Sequence, residues 1–156
     1  MFDIKRYIVF SDIHGDKRVY KELKGYTEGN DGAFFAGDGL SMLKDFTDKD
    51  LFAVGGNCDL GGAPEIVTEI EGVRVLLTHG HKYGVKGSLL SLKLRAAELE
   101  CGAVIFGHTH QPLCSYEGGI LFLNPGTCSD FGSGGTYAIL TLDNGTARAD
   151  IYRTNS

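Results

Sequence analysis

At 156 residues the chain is expected to be one domain, 1–156, long enough to bury roughly 70% of its unfolded surface without a disulfide or a metal as a staple. Its formal net charge is −5, from 20 Asp and Glu against 15 Lys and Arg, and no basic run gathers anywhere; this argues against a nucleic-acid groove or an anionic membrane surface as the main partner. Cys58, Cys101, Cys114 and Cys128 show no CxxC spacing, and there is neither a signal-peptide core nor an apolar stretch near the roughly 18 residues that span a bilayer, so a cytoplasmic protein with free thiols is expected.

Glycine is about twice as frequent as usual, 23 of 156 residues, and the tight turns it predicts follow a pattern. The first apolar run, Tyr7–Phe10, stops at Ser11-Asp12-Ile13-His14-Gly15. Val19, Tyr20 and Leu23 then recur at helical spacing, which predicts a helix over Lys17–Lys24, capped by Asp16, closed by Gly25 and followed by a loop from Thr27 to Gly32. Ala33–Ala36 runs into Gly37-Asp38-Gly39; Leu40, Leu43 and Phe46 suit one face of a short helix ended by Thr47–Asp50. Leu51–Val54 runs into Gly55-Gly56-Asn57-Cys58-Asp59. Past Pro64, Ile66–Ile70 and Val73–Leu77 read as a hairpin around Glu71-Gly72 that leads to Thr78-His79-Gly80-His81.

The strongest helical pattern covers Ser88–Glu100, with Leu89, Leu92, Ala96 and Leu99 on one stripe and Leu90, Leu94 and Ala97 beside it, all expected to pack on a sheet. Ala103–Phe106 runs into Gly107-His108-Thr109-His110, and Ile120–Leu123 into Asn124-Pro125-Gly126. Strands are also expected over Leu113–Glu117, Thr136–Leu142 and Ala147–Tyr152, the last two joined at Asp143-Asn144-Gly145, with a loop from Ser129 to Gly135. Short β-branched, aromatic and aliphatic runs bounded by glycine predict strands buried on both faces. A parallel-type first half with helices and an antiparallel second half then suggest an α/β fold, a two-sheet β-sandwich flanked by helices. Its polar turns would line one rim at the C-terminal ends of the strands, where α/β sheets place their sites.

Asp12, His14, Asp38, Asn57, His79, His108 and His110 are seven oxygen and nitrogen donors on five of these turns, a set that suits Mn, Fe, Zn or Ni. A lone Asp at a strand end is usually a turn or cap residue, and a lone buried His is usually just hydrogen-bonded. Here four of the five histidines fall directly after apolar runs, and the fifth, His81, lies two residues beyond one of them; it stays divided between a supporting role and solvent. Seven donors are too many for one ion and about right for two. A water held between two ions about 3.5 to 4 Å apart ionises near neutral pH and can attack phosphorus in line while the ions take up the growing charge. The pattern specifies a metal-assisted hydrolase better than it specifies a substrate, and a small phosphoester is compatible with the charge balance.

The motifs Asp12-Ile13-His14, Gly37-Asp38, Gly56-Asn57-Cys58-Asp59, His79-Gly80-His81 and Gly107-His108-Thr109-His110, in that order, resemble those of the calcineurin-like metallophosphoesterases. Chain length and the late Asn124-Pro125-Gly126 resemble the small phosphodiesterase branch, which also contains the retromer subunit vacuolar sorting protein 29. The resemblance implies two divalent ions, Mn foremost with Ni, Fe, Zn or Mg as alternatives. One would be held by Asp12, His14, Asp38 and His110, the other by Asp38, Asn57, His79 and His108, with Asp38 bridging.

Most of the superfamily has His where this chain has Cys58, and a thiol is a weaker donor than an imidazolium; activated phosphodiesters are therefore the expected substrates. Asp38, Asn57, Cys58 and Asp59 are the candidate catalytic residues, Asp59 as a carboxylate that accepts an imidazole N–H. Asn124, Gly126 and Thr127 are expected to line a phosphate pocket, with Cys128 beside them open to oxidation. The alternative is a protein-binding scaffold whose metal site is weak, and self-association into a homo-oligomer is compatible with either reading.

Overall fold

The computed structural model describes residues 3–46, 51–130 and 134–155. Two five-stranded sheets pack face to face. In the first, β1 (Ile4–Phe10), β2 (Gly32–Phe35) and β3 (Leu51–Ala53) are parallel. In the second, β4 (Glu65–Ile70) runs antiparallel to β5 (Val73–Thr78), which is followed by β6 (Ala103–Ile105), β7 (Leu113–Glu117) and β8 (Ile120–Asn124) in the spatial order β4-β5-β6-β8-β7. The C-terminal hairpin, β9 (Thr136–Asp143) and β10 (Thr146–Arg153), does not form a layer of its own. It returns to the first sheet, β9 lying antiparallel against β1, so the order there is β10-β9-β1-β2-β3 and both sheets are mixed.

Strand alternation explains why the central strands are apolar throughout. From β1, Tyr7 and Val9 enter the core between the sheets with Phe34, Val75, Leu77, Ile105, Leu121 and Leu140. Ile8 and Phe10 point the other way and pack with Val19 and Leu23 of helix α1 (Lys17–Glu28). On the far side, Leu76, Val104 and Phe122 meet Leu92 and Ala96 of helix α2 (Leu90–Glu98). The result is four layers, helix, sheet, sheet, helix, with the central strands buried on both faces and the edge strands partly exposed. Among the described residues no helix is long and apolar enough to cross a membrane.

Three local expectations change. Asp16 caps α1 through Arg18 N and Val19 N, but the helix runs on through Gly25 to Glu28. A mid-helix glycine costs only about 1 kcal/mol, and here the buried Thr27 donates back to Leu23 O at 2.9 Å while Tyr26 bonds Glu22. Helix α2 is shorter than its sequence pattern, and Leu90 (61% exposed) and Leu94 (63%) face solvent with Ala97; only the Leu92 and Ala96 face meets the sheet. The Leu40 segment is a 3₁₀ turn, Leu40–Asp45, and its expected terminator Thr47–Asp50 lies outside the described residues, as does part of the Ser129–Gly135 loop. Both predicted hairpin turns form with positive φ at each central residue, Glu71 (50°) and Gly72 (80°), Asn144 (46°) and Gly145 (83°), which is the twist-matched two-residue geometry.

Candidate metal centre

The ends of β1, β2, β3, β5 and β6 open onto one rim, and there the predicted donors meet in two groups of three. Ligand atoms of Asp12, His14 and His110 lie within 4.8 Å of one another, and so do those of Asp38, His79 and His108. Asn57 joins the second group, its Oδ1 standing 2.9 Å from His79 Nε2.

Hydrogen bonding sets the histidine's orientation. The Ala36 carbonyl can only accept, so at 2.6 Å it takes the Nδ1–H of His79. Nε2 then faces Asn57 Oδ1 at 2.9 Å and Asp38 Oδ2 at 3.2 Å. A ring nitrogen and two oxygens that converge on one point form a donor set that suits a divalent cation. The first group has its own counterpart: Asp12 Oδ1 is buried with no hydrogen-bond partner among the described residues, although His110 Nε2 is 3.3 Å and His14 Nε2 4.0 Å away. The donor set therefore fits divalent ions at both places.

The surrounding turns are laced tightly enough to hold this arrangement. Asp12 N and Ile13 N donate to Gly37 O and Asp38 O, Gly107 N to His79 O, and Cys128 N to Ser11 O. Two glycines admit that closeness. A Cβ on Gly56 would lie 2.1 Å from Asp38 Oδ1, and one on Gly107 would lie 2.3 Å from Ser11 Oγ. Five of the seven donors, Asp12, His14, Asp38, His108 and His110, have φ between 51° and 70°. Non-glycine residues in that region cost of order 1–3 kcal/mol each and persist only where their surroundings over-determine them.

Burial tunes the charges. It pushes the Asp12 carboxyl up, against the opposing effect of the Ser11 hydroxyl, which bonds Asp12 Oδ2. Burial and the neighbouring His79 hold His108 and His81 below the usual histidine range, which keeps their rings neutral and able to donate a lone pair. His81 is half-buried, its ring 5.4 Å from that of His79 and 6.1 Å from that of His108.

Four supporting residues act differently from the sequence reading. Asp59 takes no imidazole proton; its carboxylate accepts the backbone N–H groups of Asp38, Gly39, Leu40 and Gly56 at 2.8–3.0 Å. Partial burial pushes Asp59 up, but these four donors outweigh it and leave the carboxyl below its usual range. Asn124 is fully buried and, instead of facing a phosphate pocket, bonds Gly107 O at 3.2 Å and Thr109 Oγ1 at 2.9 Å, bracing the His108–His110 turn, while its own Oδ1 accepts from Gly126 N. Thr127 Oγ1 reaches Asp12 O at 3.0 Å. Cys128 is wholly buried, its thiol pushed far up by that burial, and so is closed to oxidants.

Cys58 is exposed beside the centre, and its backbone N–H donates to Asp38 Oδ1 at 2.8 Å. The Asp38 charge, with some burial, raises its thiol and keeps it protonated. Sequence reasoning missed Ser11, whose only signal was its place beside Asp12.

Comparison with known proteins agrees with this geometry. A sequence model of the Calcineurin-like phosphoesterase superfamily domain matches residues 6–145. The probable metallophosphoesterase YsnB of Bacillus subtilis is 31% identical over 150 residues, 93% of this chain and 89% of that protein. Phosphodiesterase YfcE of Escherichia coli K12 is 32% identical over 104 residues, 60% of this chain and 53% of that one. A conserved uncharacterised protein of Streptococcus pneumoniae TIGR4, described as a predicted phosphoesterase, superposes with a TM-score of 0.83 at 30% identity, covering 98% of this chain and 91% of the other.

Proposed function

Because the chain belongs to the calcineurin-like phosphoesterase superfamily, we propose that it is a metal-dependent phosphodiesterase that hydrolyses a small or activated phosphodiester at a dinuclear centre. The observation that carries this reading is the convergence of Asn57 Oδ1 and Asp38 Oδ2 on His79 Nε2 beside the orphaned Asp12 Oδ1. Asp12, His14, Asp38 and His110 would hold one divalent ion, and Asp38, Asn57, His79 and His108 the other, Asp38 serving both. Mixed carboxylate and imidazole donors suit Mn²⁺. When bound, such a pair supplies a nucleophile at neutral pH and neutralises charge on the phosphoryl oxygens.

The chain's own residues do the rest. Ala36 O fixes the His79 ring, and Cys58 N fixes Asp38 Oδ1. Asp59 is a positioning residue that ties the Asp38 turn to the Asn57 turn through four N–H groups. Cys58 offers a thiol, a weak hydrogen-bond donor, which favours esters whose departing group needs little protonation. This reading gains support from the phosphodiesterase relative and from the seven donors, all present. Those donors weigh against a scaffold with a weak metal site, and free thiols at all four cysteines fit a cytoplasmic setting.

The test is hydrolysis of bis(p-nitrophenyl) phosphate beside p-nitrophenyl phosphate by protein stripped of metal and then given Mn²⁺. Metal-dependent diester cleavage that Asp38→Asn abolishes is expected. Ions held weakly or not at all, with no turnover, would favour the scaffold.

A further inference from the structure

Next to the metal centre lies a cavity of about 530 Å³ lined by Leu40, Ser41, Lys44, Cys58, Asp59 and Leu60. That volume falls within the roughly 300–1,000 Å³ of sites that take small organic ligands, and a phosphate alone would leave most of it empty. Cys58 and Asp59 form the wall shared with the centre, because both bond the Asp38 turn. The cavity is therefore adjacent to the place where a phosphate at the centre would sit.

Leu60 is the feature that calls for an occupant. It is fully exposed, yet the loop that carries it is rigidly built. Gly55 N donates to Ala63 O at the loop's base, Gly61 and Gly62 turn with φ of 93° and 92°, and a Cβ on Gly55 would meet Gly61 O at 2.1 Å. Leu40 packs onto the same loop, its Cδ2 2.5 Å from where a Cβ on Gly62 would sit. Two leucines thus line the cavity, together with Ser41 and Lys44. Single exposed leucines are ordinary on protein surfaces. One that lines a cavity next to the candidate metal centre, with a lysine in the same lining, is better explained by a ligand that covers it.

We propose that this cavity is the subsite for one ester group of the substrate, an aromatic group carrying an anionic or other hydrogen-bond-accepting substituent, with Leu40 and Leu60 against the ring and Ser41 and Lys44 on the substituent. The inference rests on the phosphodiesterase reading and narrows its substrate class. Leu60 and Lys44 lie outside the metal-binding set, and their role is specificity.

The experiment measures binding without turnover. Phenylphosphonate, 4-carboxyphenylphosphonate and methylphosphonate share a head group, so titration into the Mg²⁺-loaded protein, followed by calorimetry and amide NMR shifts, isolates the ring and its substituent. Phenylphosphonate is expected to bind about tenfold more tightly than methylphosphonate, the effect of covering roughly half a ring. Leu60→Ala should abolish that advantage while leaving methylphosphonate binding unchanged, which also shows that the variant is folded. Lys44→Ala should remove the further gain of the carboxylate and leave the ring's gain in place.

Equal binding of the ring and methyl compounds, or gains that survive their respective substitutions, would overturn the subsite. Diester cleavage without a ring advantage would sink the subsite alone; a ring advantage without cleavage would sink the hydrolase reading and keep the subsite.

Discussion

The two groups of donors are built from the same residue types and differ in how they are held. Asp38 and His79 are buried, and hydrogen bonds to Cys58 N, Ala36 O and Asn57 orient them. Asp12 is equally buried, but its partners His14 and His110 are exposed, and His14 Nε2 stands 4.0 Å away. Both groups already have their ligand atoms within 4.8 Å of one another, but one rests on buried, hydrogen-bonded side chains and the other on two exposed histidines. Ordering side chains costs free energy, so the two halves are expected to bind metal with unequal affinity, the His79 side first.

Paired substitutions sharpen that contrast most. His79→Ala empties a buried position that also links the Ala36 and Asn57 turns, and the variant is expected to lose both ions and all metal-dependent diesterase activity. His14→Ala is expected to keep one ion per chain, as counted by metal analysis after gel filtration. Equal metal loss in the two variants would erase the distinction.

The next largest effect concerns Cys58, on the ordered side. Cys58→His supplies a proper proton donor, and general acid assistance is worth about 10²- to 10⁴-fold. The gain should appear on an alkyl phosphodiester and hardly at all on bis(p-nitrophenyl) phosphate. No gain on the alkyl substrate, with metal content unchanged, would contradict the role given to the thiol.

Asp59→Asn keeps the shape of the clamp but removes its charge and one acceptor oxygen. Loss of support around a metal ligand typically costs about 10- to 100-fold in affinity. The expected loss falls on the His79 side, read as a shift in the tighter step of a Mn²⁺ titration.

The smallest effect lies away from the rim. Burial pushes Glu65 up, but the Tyr83 hydroxyl and the Arg95 guanidinium at 2.8 Å outweigh it and hold its carboxyl below the usual range. A depressed acid contributes its stability above its unfolded pKa, about 4.3, and loses it as pH falls through the folded value. Glu65→Gln should therefore lower the melting temperature slightly at pH 7, by under about 1 kcal/mol of stability, with the difference from wild type vanishing on the acid side.

The same contrast separates what could be read in the sequence from what could not. Each of the seven donors follows an apolar run that must be a buried strand, so their meeting on one rim was legible from pattern alone. The order within each group was not, because it depends on backbone angles. Asp and His tolerate a positive φ better than most side chains, but nothing local to Asp12, His108 or His110 shows that they adopt one. Asp59 misled because its partners are N–H groups twenty residues away, a contact with no local trace. Leu90 and Leu94 misled for the opposite reason: a wide apolar stripe on α2 is visible, but the narrow face that meets the sheet is set by tertiary packing. The insertion of β9 beside β1 is likewise a pairing between chain ends.

A stepwise Mn²⁺ titration of metal-free protein, with ion stoichiometry and bis(p-nitrophenyl) phosphate hydrolysis followed on the same sample, tests the dinuclear centre most directly. Two ions per chain are expected, the first bound more tightly, with activity rising only as the second enters. Full activity at one ion per chain, or no binding of metal at all, would contradict the account.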